Sequence, residues 1–128
     1  MPRATQISTL WIVVMINMVF ADILSFMFPG FLAQITTGAV DGVVITPMFL
    51  LLAAVFVEVG IAMIYLSRAL RPRASRIANL VAVGVTILFV IGGGSLTPHY
   101  IFFAGIEVIV LLYIGALAWG WREEAVAA

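Results

Sequence analysis

The chain has 128 residues, 65% of them hydrophobic and only 9% charged, and its mean hydropathy is +1.27. Six basic residues balance six acidic ones, so no net field points to nucleic acid. Cys is absent and so is Lys, which excludes disulfides, thiol catalysis, iron–sulfur clusters, Schiff bases and Walker-type phosphate loops. A surface this apolar belongs in lipid, so the bilayer is the expected partner, and no cofactor is expected.

Residues 1–6 form a short polar head. The first apolar run covers about 7–28 and is broken only by Ser8, Thr9, Asn17, Asp22 and Ser25. At ~1.5 Å per residue it crosses a ~30 Å hydrocarbon layer, and it is too long for a signal-peptide core. Trp11 lies near one end, where an interfacial indole is expected. Pro29-Gly30 stops the run. Residues 31–38 read as a short interfacial helix closed by Gly38, and Asp41-Gly42 as a turn.

Thr46-Pro47 opens a second span over about 46–67, with Thr as cap and Pro at the first helical position. Glu58 lies inside it. A basic loop over 67–76 carries Arg68, Arg71, Arg73 and Arg76. A third span over about 76–93 holds Asn79 and Thr86 and ends at Gly92-Gly93-Gly94. Residues 92–100 read as a tight hairpin with the single His of the chain, His99. The fourth span starts at Thr97-Pro98, runs over about 98–121 and contains Glu107. The expected fold is an all-α, four-transmembrane-helix up-down bundle forming one domain. All six arginines fall on the head, the second loop and the tail. The positive-inside rule puts both termini in the cytoplasm and the other two loops outside.

Three carboxyl groups inside the spans, Asp22, Glu58 and Glu107, have no basic partner within any span. A charge at the bilayer centre costs at least ~2.5–3.5 kcal/mol. Each acid is therefore expected to be protonated, solvated in a cavity or bound to a cation. Counted from the flanking prolines, they lie roughly 10, 17 and 13 Å below the outer face. One pocket open to the outside can hold all three if their faces converge. The stripes Met18-Asp22-Ser25, Ala54-Glu58-Tyr65, Asn79-Thr86-Gly93 and Tyr100-Phe103-Glu107 are each more polar or smaller than the rest of their helix. Turned inward, they line a pocket of Asp22, Glu58 and Glu107 with Asn17, Ser25, Tyr65, Asn79 and Thr86, and with His99 and Tyr100 at its mouth.

Against this, a buried acid, Asn or Thr also serves simple helix packing through a hydrogen bond to a neighbour. The echo between Thr46-Pro47…Glu58 and Thr97-Pro98…Glu107 suggests a duplication. The proline-to-acid spacing differs by two residues, however, which is ~200° of helix phase, so the two acids do not occupy equivalent faces.

The segments Asn17-Met18-Val19-Phe20-Ala21-Asp22-Ile23-Leu24-Ser25-Phe26, Ile61-Ala62-Met63-Ile64-Tyr65-Leu66-Ser67-Arg68 and Gly92-Gly93-Gly94-Ser95-Leu96-Thr97-Pro98-His99-Tyr100 resemble a family of short bacterial four-span proteins. That family is catalogued as a domain of unknown function. The resemblance covers most of the chain, implies a multi-pass protein of the bacterial inner membrane and brings no activity. Length and span count also resemble small multidrug-resistance transporters, but their Glu in the first span is missing here. Three functions stay open. The first is binding or transport of a proton, small cation or amine through the acidic pocket, with a homo-oligomer expected. The second is a structural or accessory subunit. The third is a metal-dependent membrane enzyme using Asp22, Glu107 and His99, for which the second His of a bundle metal site is missing.

Overall fold

A computed structural model describes residues 1–40, 42–93 and 96–121. Four long helices carry the fold: α1 (Arg3–Met27), α3 (Pro47–Ala69), α4 (Pro72–Gly92) and α5 (Pro98–Trp119). Each is long and apolar enough to cross a membrane. A short helix α2 (Phe31–Thr36) and the strands β1 (Ala39–Val40) and β2 (Val43–Val44) make up the first connection. α1 packs on α3 and α5, and α4 packs on the same two, so the helices form a ring in chain order. This is the all-α, four-helix bundle expected of the sequence.

The helix starts follow local chemistry. Thr46 caps α3, its Oγ1 accepting from the Phe49 amide at 3.0 Å, with Pro47 at the first helical position. Pro72 opens α4 and Pro98 opens α5. Three boundaries differ from the sequence reading. α1 begins at Arg3, because nothing in the polar head breaks a helix and the Gln6 amide already bonds to the Pro2 carbonyl at 2.9 Å. The basic loop shrinks to Leu70 and Arg71, because Pro72 starts α4 at once; Arg68 stays in α3, and Arg73 and Arg76 lie in the first turns of α4. Beyond the expected short helix, the first connection contains a hairpin, in which Ala39 pairs with Val44 and Val40 with Val43. Gly38 and Gly42 adopt φ of +84° and +80°, a left-handed backbone that glycine takes without strain. Asp41 of the expected turn, Gly94 and Ser95 of the glycine hairpin, and Arg122-Glu123-Glu124 of the tail lie outside the described residues.

The core is concentrated toward the end of the bundle that carries the arginines. Ile7, Trp11, Val14 and Met15 of α1 meet Met63 of α3, Ala82 and Val83 of α4, and Leu111, Ile114 and Ala118 of α5. On α3 only Gly60, Met63 and Ser67 are buried. Gly60 sets this approach: a Cβ there would stand 2.5 Å from the Met15 sulfur and 3.5 Å from the Trp11 ring. At the arginine end, Arg68 Nη2 donates to Thr5 Oγ1 at 3.3 Å, and the Arg76 guanidinium sits 5.1 Å from the centre of the Trp119 ring.

Trp11 is not an interfacial indole. It is fully buried, and its Nε1 donates to Asn79 Oδ1 at 2.7 Å. The helix starts earlier than its apolar run, so Trp11 lies more than two turns inside α1 rather than at its end.

Candidate functional site

The ring of helices brings some of the predicted polar residues together and separates others. At the hairpin end, α1 and α5 are tied by a contact of 3.0 Å between Ser25 Oγ and His99 Nε2. Phe28 packs on the His99 ring with centroids 6.0 Å apart. These residues, with Pro29, Phe31, Gln34 and Thr97, line a recess of about 90 Å³. His99 is thus at the mouth of the bundle. Tyr100 follows it and donates from its hydroxyl to the Val90 carbonyl at 3.0 Å. Val90 lies in the last turn of α4, where carbonyls lack a partner within their own helix.

Below the mouth lies Glu107, only 3% exposed. Its carboxyl has no hydrogen-bond partner among the described residues. The carboxyl of Asp22 is within electrostatic range of it, and the Tyr100 hydroxyl is within range of both. Because Ser25 and His99 share a level, the count along α1 and α5 puts Asp22 roughly 7 Å nearer the mouth than Glu107. Asp22 is exposed, on the rim of the bundle beside α5. Thr86 of α4 is also buried, 1% exposed, and its Oγ1 has no hydrogen-bond partner among the described residues. Mouth, Asp22 and Glu107 therefore descend as a polar column.

The column ends on a saturated network. Asn79 is fully buried, and its Oδ1 accepts from Trp11 Nε1 at 2.7 Å and from Ser67 Oγ at 3.3 Å. Its Nδ2 donates to the Ser75 carbonyl at 2.9 Å and to Ser75 Oγ at 3.1 Å. Nearby, Ser8 Oγ donates to the Ile64 carbonyl at 2.6 Å. Every hydrogen-bonding site of the Asn79 amide is used, so it holds helices together and has nothing left to offer a ligand. The sequence reading overlooked Ser8, Ser67 and Ser75. Their signal was spacing: Ser75 precedes Asn79 by one helical turn, and Ser8 precedes Trp11 by nearly one.

Two residues leave the expected pocket. Glu58 and Tyr65 face away from the bundle, with Tyr65 72% exposed and Glu58 also exposed. The inward face of α3 was set instead by Gly60, Met63 and Ser67, because the close approach of Met15 needs the glycine. The Glu58 stripe therefore does not converge with Asp22 and Glu107. Asn17 spends its amide on the Val13 carbonyl of its own helix, at 2.8 Å. Gly93 is exposed. Among the described residues no three His, Asp or Glu side chains cluster as metal ligands.

No curated protein and no solved structure matches the chain. A family model does match, over residues 2–128. The model is that of DUF6326, described as a family of unknown function, and the chain belongs to that family.

Proposed function

We propose that the protein binds and moves a small cation, a proton or a protonated amine, at Glu107. The observation that carries this reading is the carboxyl itself: 3% exposed in an apolar helix, with Asp22 in electrostatic range and no hydrogen-bond partner among the described residues. An acid so placed inside a membrane is costly unless it holds a proton or a cation. The recess beside the Ser25–His99 contact is the proposed entrance, on the same end of the bundle as Asp22, although neither acid lines it. The buried Thr86 hydroxyl, without a partner among the described residues, supplies a second oxygen. The Trp11–Asn79 network closes the opposite end. With the arginines on the cytoplasmic side of a bacterial inner membrane, the recess opens outward.

Reconstitution in vesicles tests this, with methylammonium uptake and an internal pH dye as readouts. Wild type is expected to take up methylammonium with counter-movement of protons. Apparent affinity should rise with pH, because the cargo competes with protons for the same oxygens. Glu107→Gln keeps the shape and is expected to abolish uptake. Asp22→Asn is expected to weaken it. Uptake unchanged in Glu107→Gln would refute the reading.

A second reading, an accessory subunit whose polar residues serve packing, is favoured by the saturated Asn79 network. It expects Glu107→Gln to leave the vesicles as inert as wild type.

A further inference from the structure

Glu58 raises a separate question from Glu107. It is the central residue of α3 (Pro47–Ala69), so its carboxyl lies near the middle of the hydrocarbon layer, roughly 16 Å from either helix end. A glutamate side chain cannot snorkel that far. Yet it is exposed on the outer face of the bundle, with no hydrogen-bond partner among the described residues.

Its surroundings have a definite pattern. Leu51, Ala54, Glu58, Ile61 and Tyr65 recur at alternate spacings of three and four, the seam of a left-handed coiled coil. All five are exposed. Ala62, one turn beyond Glu58, is also exposed, so small side chains flank the acid on both sides and let a second helix approach closely. A single polar residue in such a seam is a known device for fixing register and partner number.

We infer that the α3 seam centred on Glu58 is a homodimer interface, in which two copies pack in parallel about a two-fold axis that brings Glu58 against Glu58. The chemistry selects a second copy over a different partner. The arginines give every copy the same orientation, so the axis runs along the membrane normal. Under that axis the two carboxyl groups meet and hydrogen-bond to one another through a shared proton. Each satisfies the other, and no basic side chain is required. Another protein would have to bring its own polar group to the same depth.

The chain has no Cys, so single-cysteine variants report proximity cleanly. Ile61→Cys, on the seam one turn from Glu58, oxidised in native membranes, is expected to form a disulfide-linked dimer. Ile109→Cys on α5, at 68% exposure, is the control and is expected to stay monomeric. Adding Glu58→Leu to Ile61→Cys is expected to cut the cross-linked fraction about tenfold, equivalent to about 1.4 kcal/mol of association. Glu58→Gln, which can still pair across the axis, is expected to retain most of it. Glu58 lies outside the bundle core, so each variant should melt within a few degrees of wild type, which separates lost pairing from lost folding. Two results would each overturn the inference: cross-linking of Ile61→Cys no greater than that of Ile109→Cys, or cross-linking that ignores Glu58→Leu. A different neighbour on the seam would appear as the first of these.

Discussion

The Trp11 indole donates to Asn79 across 2.7 Å in the fully buried core of the bundle, joining two residues 68 positions apart. The bond locks α1 to α4, which lie diagonally across the ring. Trp11→Phe removes one donor and leaves the amide oxygen with Ser67, so a loss of about 1 kcal/mol is expected. Asn79→Leu strands the indole and both serine hydroxyls, and about 2–3 kcal/mol is expected. Equilibrium unfolding in mixed micelles measures both. The double variant should cost less than the two added together, and strict additivity would argue that the bond contributes nothing.

Gly60 gives a second prediction. The nearest atom to an added Cβ is the Met15 sulfur, in the flexible part of its side chain. Gly60→Ala is expected to cost only about 1 kcal/mol, because that thioether can swing aside. Gly60→Ile must also displace the Trp11 ring and is expected to cost about 3 kcal/mol. Thermal melts of the two variants side by side decide it; equal losses would mean that the helices do not approach closely at this point.

Thr86 offers a test in which a substitution should help. Its hydroxyl is buried without a partner among the described residues. Thr86→Val keeps the shape and removes the orphan group, so the cargo-free protein is expected to become more stable by about 1 kcal/mol. The same change should weaken methylammonium uptake. A destabilised Thr86→Val protein would point instead to an ordered water held between this hydroxyl and Glu107.

Tyr100 holds the end of α4 through the Val90 carbonyl. Tyr100→Phe is expected to cost about 1 kcal/mol and to speed hydrogen exchange in the last turn of α4, leaving exchange near Asn79 unchanged. Exchange that rises uniformly along α4 would contradict this local role.

The four spans were legible because length and apolarity alone specify them in lipid. Pro47, Pro72 and Pro98 each mark a helix start, although the sequence reading used only two of them. The opposed directions of Glu58 and Glu107 were also implicit in the sequence. The two-residue difference in their distance from the preceding proline turns one acid outward and the other inward. Which one faces in was not legible, because it depends on Gly60 admitting Met15. A polarity stripe on one helix does not carry that information, since in lipid both faces of a span are apolar. The Asn79 network was half visible: the sequence places Asn79 in the pocket with helix packing as its alternative, but its partners come from three helices, and two of them are serines from the stretch that reads as a basic loop.

The α3–α4 connection, only Leu70 and Arg71, has a consequence for how the protein is made. Ser67, Ser75 and Asn79 all belong to this helical hairpin, so the pair can enter the membrane with most of its polar demand met internally. Trp11 is synthesised 68 residues before its acceptor. At ~5–20 residues per second the nascent chain waits roughly 3–14 s for Asn79 to emerge. Until then the indole has no buried partner, and the headgroup region is where such a ring rests comfortably. The interfacial position that the sequence suggested for Trp11 is thus its expected address during translation, left only when the hairpin arrives to draw it into the core.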